Sequence, residues 1–177
     1  MTLHASKETL EEVPSDVTET SRQRKIIIDE FNHDSQPRIL EDGMLVVPVM
    51  ANHCAGALNL IFRTCGGFTL LIGTDSGVFF EDAWKKFSGF QFDLVILDAT
   101  AGKAEFENYP HMNFRENIET VRRFRADGIA KKGCRFLVSH FSHNPNVGMT
   151  HKEMEEWFLP YGIEPAWDGM TVPLDHG

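Results

Sequence analysis

Cysteine is scarce, with only Cys54, Cys65 and Cys134 in 177 residues. The set is odd in number, widely spaced and holds no C-x-x-C pair, so no disulfide framework is expected and a reducing, cytoplasmic setting is. No apolar run approaches the roughly 18 residues of a membrane span. No charged-then-apolar signal pattern is visible at the N-terminus, and there is no internal repeat. Basic charge is also short: 17 Lys and Arg face 26 Asp and Glu, a net charge of -9. Such a chain repels phosphate backbones and anionic membranes, so non-specific binding of long nucleic acid is not expected. A phosphate-ester substrate would need another source of positive charge, and a bound metal ion is the usual one.

What remains is enough for a core. The chain is 42% hydrophobic, and its length fits one domain, residues 1–177. Ser6 can cap a short helix in "KETLEEV". "RKIIID" (24–29) and "MLVVPVM" (44–50) read as strands, with Pro48 pointing to an edge or bulge. "ALNLIF" and "FTLLIG" flank "RTCGG" as a hairpin. "FEDAWKKF" (80–87) reads as a short helix and "DLVILDA" (93–99) as a strong strand. "NFRENIETVRRFRADG" places Phe114, Ile118, Val121 and Phe124 on one helical face, stopped by Gly128. "CRFLVS" (134–139) is another strand, and "THKEMEEWF" has Thr150 and Glu153 in capping-box spacing. A last strand is expected over residues 166–173. The alternation predicts an α/β layered domain.

Three of these strands end alike. "FTLLIG" runs into Asp75, "LVIL" into Asp98 and "RFLV" into His140, followed by His143. In α/β folds the ligand crevice lies outside the carboxyl ends of the strands. Each residue has a plain alternative: Asp75 as a turn former, Asp98 as a cap, His53, His140 and His143 as satisfied loop residues. Together, carboxylate and imidazole suit zinc, manganese or iron, and the chemistry they support is metal-assisted hydrolysis.

The order "NHCAG", "GTDSG", "LDAT", "PHMN", "SHFSHN", "WDGM" resembles the metallo-β-lactamase superfamily, in its RNase Z and cyclic phosphoribosyl phosphodiesterase branch, over roughly residues 1–174. The resemblance implies a metallo-β-lactamase-like αββα sandwich and two divalent ions, zinc or manganese. It implies that His53, Asp75 and His140 are metal ligands, with Asp75 bridging. It makes His111 the proton donor and Asp98 the residue that orients it, while His143 contacts substrate and Asp168 is structural. The implied reaction is attack of a metal-bound hydroxide on a phosphodiester, small rather than a long RNA in view of the charge.

One departure is large. The superfamily's H-x-H-x-D-H element is absent, and no H-x-H occurs anywhere in the chain. By the resemblance it should precede "LHASKETLEEV". His4 and His33 lack the spacing to replace it. The expectation is therefore a sandwich incomplete at its N-terminal side, a truncated chain in which each ion keeps two protein ligands and binds weakly. Apolar surface left open would favour association, such as a homo-oligomer. Two alternatives stay open: a hydrolase of another ester, and a non-catalytic remnant serving as a binding or dimerisation module.

Overall fold

A computed structural model describes residues 2–13, 27–106, 109–142 and 148–174. Its main element is a seven-stranded sheet in chain order β3 to β9. β3 (Arg38–Ile39), β4 (Leu45–Met50), β5 (Leu58–Arg63) and β6 (Thr69–Gly73) are antiparallel neighbours. β7 (Phe92–Asp98), β8 (Ala130–Ser139) and β9 (Glu164–Pro165) continue in parallel from β6. β1 (Thr2–Ala5) and β2 (Ile27–Glu30) form a separate parallel pair. Helices α1 (Lys7–Glu12), α2 (Glu81–Phe87), α3 (Phe114–Ala126) and α4 (His151–Phe158), with a 3-10 turn at Leu159–Tyr161, complete the described elements.

The sheet alternates as pleating requires. Leu71, Val95, Phe136 and Val138 belong to a large apolar cluster with Trp84 and Phe87 of α2, Phe114, Ile118, Val121 and Phe124 of α3, and Met154 and Phe158 of α4. The adjacent residues Leu70, Leu94 and Leu137 form a second cluster with Phe68, packed by Phe62, Ile96, Met170 and Val172. One face therefore carries the helices. The other is thinly covered, and Ile72 on it is 36% exposed.

Several expectations hold in detail. Ser6 caps α1, accepting from the Thr9 N–H. The four apolar residues named on α3 are all buried. Thr150 makes the expected capping box with Glu153, and Asn113 makes another with Glu116 that the sequence reading did not name. Pro48 lies beyond the end of β3, which pairs only with Leu45 and Val46, so no ladder bond is lost on that side. The "RKIIID" strand is present as β2 from Ile27, and residues 24–26 lie outside those described.

Two expectations fail. No strand runs over residues 166–173; β9 stops at Pro165. Trp167 to Met170 instead form a turn in which the Met170 N–H donates to the Trp167 carbonyl at 3.0 Å, with Gly169 at φ +89°. β8 also starts four residues earlier than "CRFLVS", at Ala130. The extra residues are taken up by an irregularity opposite Phe92 and Leu94, with Gly133 at φ +87°, a bulge that looks like a turn in sequence. The arginines of α3 make specific contacts. Arg123 makes a bidentate pair with Glu81 and covers the Trp84 ring, and Arg125 donates to the Tyr161 carbonyl.

Among the described residues no helix is long and apolar enough to cross a membrane. The three cysteines are free thiols. Burial, with Asp93 beside it, pushes the Cys134 thiol up to about 12. Its thiolate fraction should be about a thousandfold below that of an ordinary thiol. Ellman's reagent at mildly alkaline pH is expected to titrate exposed Cys54 and Cys65 promptly and Cys134 only after denaturation. Three equally fast thiols would contradict this burial.

Candidate metal and hydrolase site

Because β6, β7 and β8 are parallel and in register, their C-terminal ends share one edge of the sheet: Gly73 lies opposite Leu97, and Asp98 opposite Ser139. The chain leaves that edge through Asp75, Asp98 and His140. Both Asp75 (φ +57°) and His140 (φ +61°) are in the left-handed region. That conformation is costly for residues other than glycine and persists only where surroundings enforce it.

The enforcing contacts are visible. The Asp75 N–H donates to Asp98 Oδ2 at 3.0 Å. Ser76, fully buried, accepts from the Asn52 N–H at 3.1 Å and donates to its neighbour's carbonyl, while the Gly77 N–H donates to the Asn52 carbonyl at 2.9 Å. These bonds stitch the "GTDSG" loop to the "ANHCAG" loop and set His53 beside Asp75. Gly77 permits the approach: a Cβ there would fall 2.9 Å from the Tyr109 carbonyl and 3.1 Å from Asn52 Nδ2. His111 is delivered by a third loop. The Ala101 N–H donates to the Met112 carbonyl, the Phe114 N–H donates to the Gly102 carbonyl, and Asn113 then caps α3. From α3, buried Asn117 donates to the Asp98 carbonyl at 2.7 Å.

The side chains converge. Asp75 Oδ1 lies 3.3 Å from His53 Nε2, 3.8 Å from His140 Nε2 and 3.8 Å from His111 Nδ1. The rings of His53 and His111 are 4.9 Å apart, and those of His111 and His140 are 5.8 Å apart and stacked. Asp98 is wholly buried. It accepts from the Thr100 N–H at 2.8 Å and the Asp75 N–H at 3.0 Å, and its Oδ2 lies 3.0 Å from His111 Nδ1.

These separations fit an ion. Zinc–ligand bonds of about 2.0–2.2 Å in tetrahedral array put neighbouring ligand atoms roughly 3.3 Å apart, longer than a strong direct hydrogen bond. The His53 nitrogen stands at that spacing from Asp75 Oδ1, and those of His140 and His111 lie about 0.5 Å beyond it. One atom from each of Asp75, Asp98, His111 and His140 lies within 4.8 Å of the others. Lone pairs divide that group. Asp98 is already saturated by N–H donors, and His111 Nδ1 faces Asp98. That leaves Asp75 Oδ1 and His140 Nε2 of the group, and His53, which is not one of the four, brings its Nε2 to the same Asp75 oxygen.

His143 lies outside the described residues. Asp168 is exposed in the turn after β9. His4 sits on β1 against Asp29, 2.9 Å away, rather than in the cluster, and Arg38 also pairs with Asp29. Sequence reasoning missed Ser76, Thr100 and Asn117, whose only signal was position: Ser76 and Thr100 follow the strand-end aspartates, and Asn117 lies one turn into the helix after "HMN".

No protein-family model matches the chain, and no curated protein matches it. Solved structures do match it in fold. The metallo-beta-lactamase fold protein YhfI from Bacillus subtilis shares 17% identity at a TM-score of 0.67, over 97% of this chain and 65% of that one. Zinc-bound PqqB from Methylobacterium extorquens shares 14% at a TM-score of 0.62, over 98% of this chain and 65% of its own. Human tRNase Z, short form, shares 14% at 0.62, over 98% of this chain and 68% of its own. The class is thereby defined: the chain has the metallo-β-lactamase fold, of the kind found in tRNase Z. It spans about 65% of the length of YhfI.

Proposed function

We propose that the chain is part of a metal-dependent hydrolase acting on a small phosphodiester. The observation that carries this reading is the convergence of His53 and His140 on one oxygen of Asp75, beside a histidine tethered to a buried aspartate. A divalent ion held by Asp75, His53 and His140 would supply Lewis acidity toward a phosphoryl oxygen and a nucleophilic water near neutral pH. The donor set suits zinc or manganese. With its Nδ1–H on Asp98, His111 presents Nε2 as the atom that passes a proton to the leaving alkoxide. Asp98 fixes that tautomer and ring orientation. The excess of acidic residues favours a small substrate over a long polyanion, and the reading assigns His143 to substrate contact on the resemblance alone. A cytoplasmic, two-ion enzyme completes the reading, with its remaining ligands on an N-terminal H-x-H-x-D-H segment.

A second reading, a binding or dimerisation module without catalysis, has two observations in its favour. The chain contains no H-x-H, and it leaves Leu3 and Ile27 on the β1–β2 pair exposed. Hydrolysis of a different ester is less favoured, because a tethered histidine beside the cluster serves an alkoxide leaving group best.

Zinc and manganese titration by calorimetry, followed by assay on bis-p-nitrophenyl phosphate, separates the readings. Weak metal binding by the chain alone is expected, with binding and hydrolysis both rising when an H-x-H-x-D-H segment is supplied. Failure to bind either ion in either state would overturn the hydrolase reading.

A further inference from the structure

Thr100 sits where three acceptors compete for one hydroxyl proton. Its Oγ1 lies 2.7 Å from the His140 carbonyl oxygen, 2.7 Å from His140 Nδ1 and 3.2 Å from Asp98 Oδ2. The carbonyl oxygen and Asp98 Oδ2 can only accept, and the carbonyl is the nearer at 2.7 Å against 3.2 Å, so the hydroxyl proton belongs to that contact. The hydroxyl then has lone pairs alone to offer to His140 Nδ1, and a ring nitrogen 2.7 Å from them must carry a proton. Asp98 is the rival partner for that proton, since its Oδ2 lies 3.2 Å from His140 Nδ1. It is both farther away and already engaged by the Asp75 N–H and by His111.

We propose that Thr100 is a positioning residue that holds His140 twice, its backbone through the carbonyl and its ring through Nδ1, fixing the Nδ1–H tautomer so that the Nε2 lone pair faces Asp75. The backbone latch matters because His140 stands at φ +61°, where a non-glycine residue needs an external hold. The ring latch matters because a histidine ligand whose other nitrogen is left free loses both tautomer and orientation. The consequence for a metal ion rests on the hydrolase reading. The tautomer itself does not, and can be read in the metal-free chain.

The test uses chain labelled with ¹⁵N in histidine and two-bond ¹H–¹⁵N correlation spectra in mildly alkaline buffer. His140 of the unsubstituted chain is expected as the Nδ1–H form. Thr100→Val should release it to a mixture dominated by Nε2–H, with the His53 and His111 signals as a check on folding. Thr100→Ser, which keeps the hydroxyl, should restore the original pattern. In zinc titration Thr100→Val should weaken binding about 10–100-fold and Thr100→Ser should not. An Nε2–H His140 in the unsubstituted chain would overturn the proposal without any variant, as would Thr100→Val retaining the Nδ1–H form. If the tautomers behave as stated and neither zinc nor manganese binds with or without the H-x-H-x-D-H segment, Thr100 keeps its role and the hydrolase reading falls.

Discussion

Replacing His111 with alanine should lower phosphodiester turnover about 10²–10⁴-fold, the usual span for loss of a general acid, while the zinc isotherm stays in place. The two halves of this result come from different atoms. Nδ1 of His111 is 3.0 Å from Asp98 Oδ2, so the ring is anchored through the side that would otherwise approach Asp75. His140→Ala should do the reverse and remove metal first, because its Nε2 is directed at Asp75 while Nδ1 is held by Thr100. The comparison is made by calorimetric zinc titration beside kcat and KM on bis-p-nitrophenyl phosphate, in the preparation with the H-x-H-x-D-H segment supplied. Loss of zinc by His111→Ala would place this histidine among the ligands and leave the proton-transfer role without support. An unchanged kcat would remove it altogether.

The gathering of Asp75, Asp98 and His140 was legible because it follows from sheet arithmetic. Parallel strands bring their carboxyl ends to one edge, and each apolar run stops on its polar residue within one residue of the same register. His53 and His111 were less accessible to that logic. Both sit on loops whose approach depends on backbone bonds at long separation, such as Gly77 to Asn52 and Phe114 to Gly102. Only the order of motifs pointed to them. The contacts of Thr100 and Asn117 were not legible at all. A threonine two residues after an aspartate is common, and its competition for one proton exists only once His140 has taken a left-handed conformation.

The fold shows the same division. Strands and helices with clear periodicity and caps appear where the sequence placed them, as Ser6 and Thr150 illustrate. The misses fall where local and tertiary preferences disagree. Residues 166–173 have enough apolar character for a strand, yet the Asp168–Gly169 turn breaks the run, and Met170 and Val172 instead pack on the thin face of the sheet. At Ala130 to Gly133 the opposite occurs: two lysines and a glycine look like a turn, but they bulge between the Ala130–Phe92 and Arg135–Leu94 pairs, so the strand runs on through them.

The two faces of the sheet should also differ in what they contribute to stability. Phe124 is fully buried, with ring centroids of Trp84, Phe92, Phe87 and Phe136 at 4.9, 5.5, 5.6 and 6.0 Å. These rings join α2 and α3 to β7 and β8, and so hold the strand ends from which Asp98 and His140 leave. Phe124→Ala opens a cavity that such a packed aromatic cluster cannot close, and should cost about 3–5 kcal/mol. Domain stability is typically only about 5–15 kcal/mol, so this one change removes a large part of it. Ile72 points to the other face and is 36% exposed. Ile72→Thr keeps a β-branched strand former and should cost under about 1 kcal/mol. Urea melts of the two variants against the unsubstituted chain read the difference directly. Comparable losses would mean that the thin face is as tightly packed in solution as the helical one, and the division of the core into a closed and an open side would have to be given up.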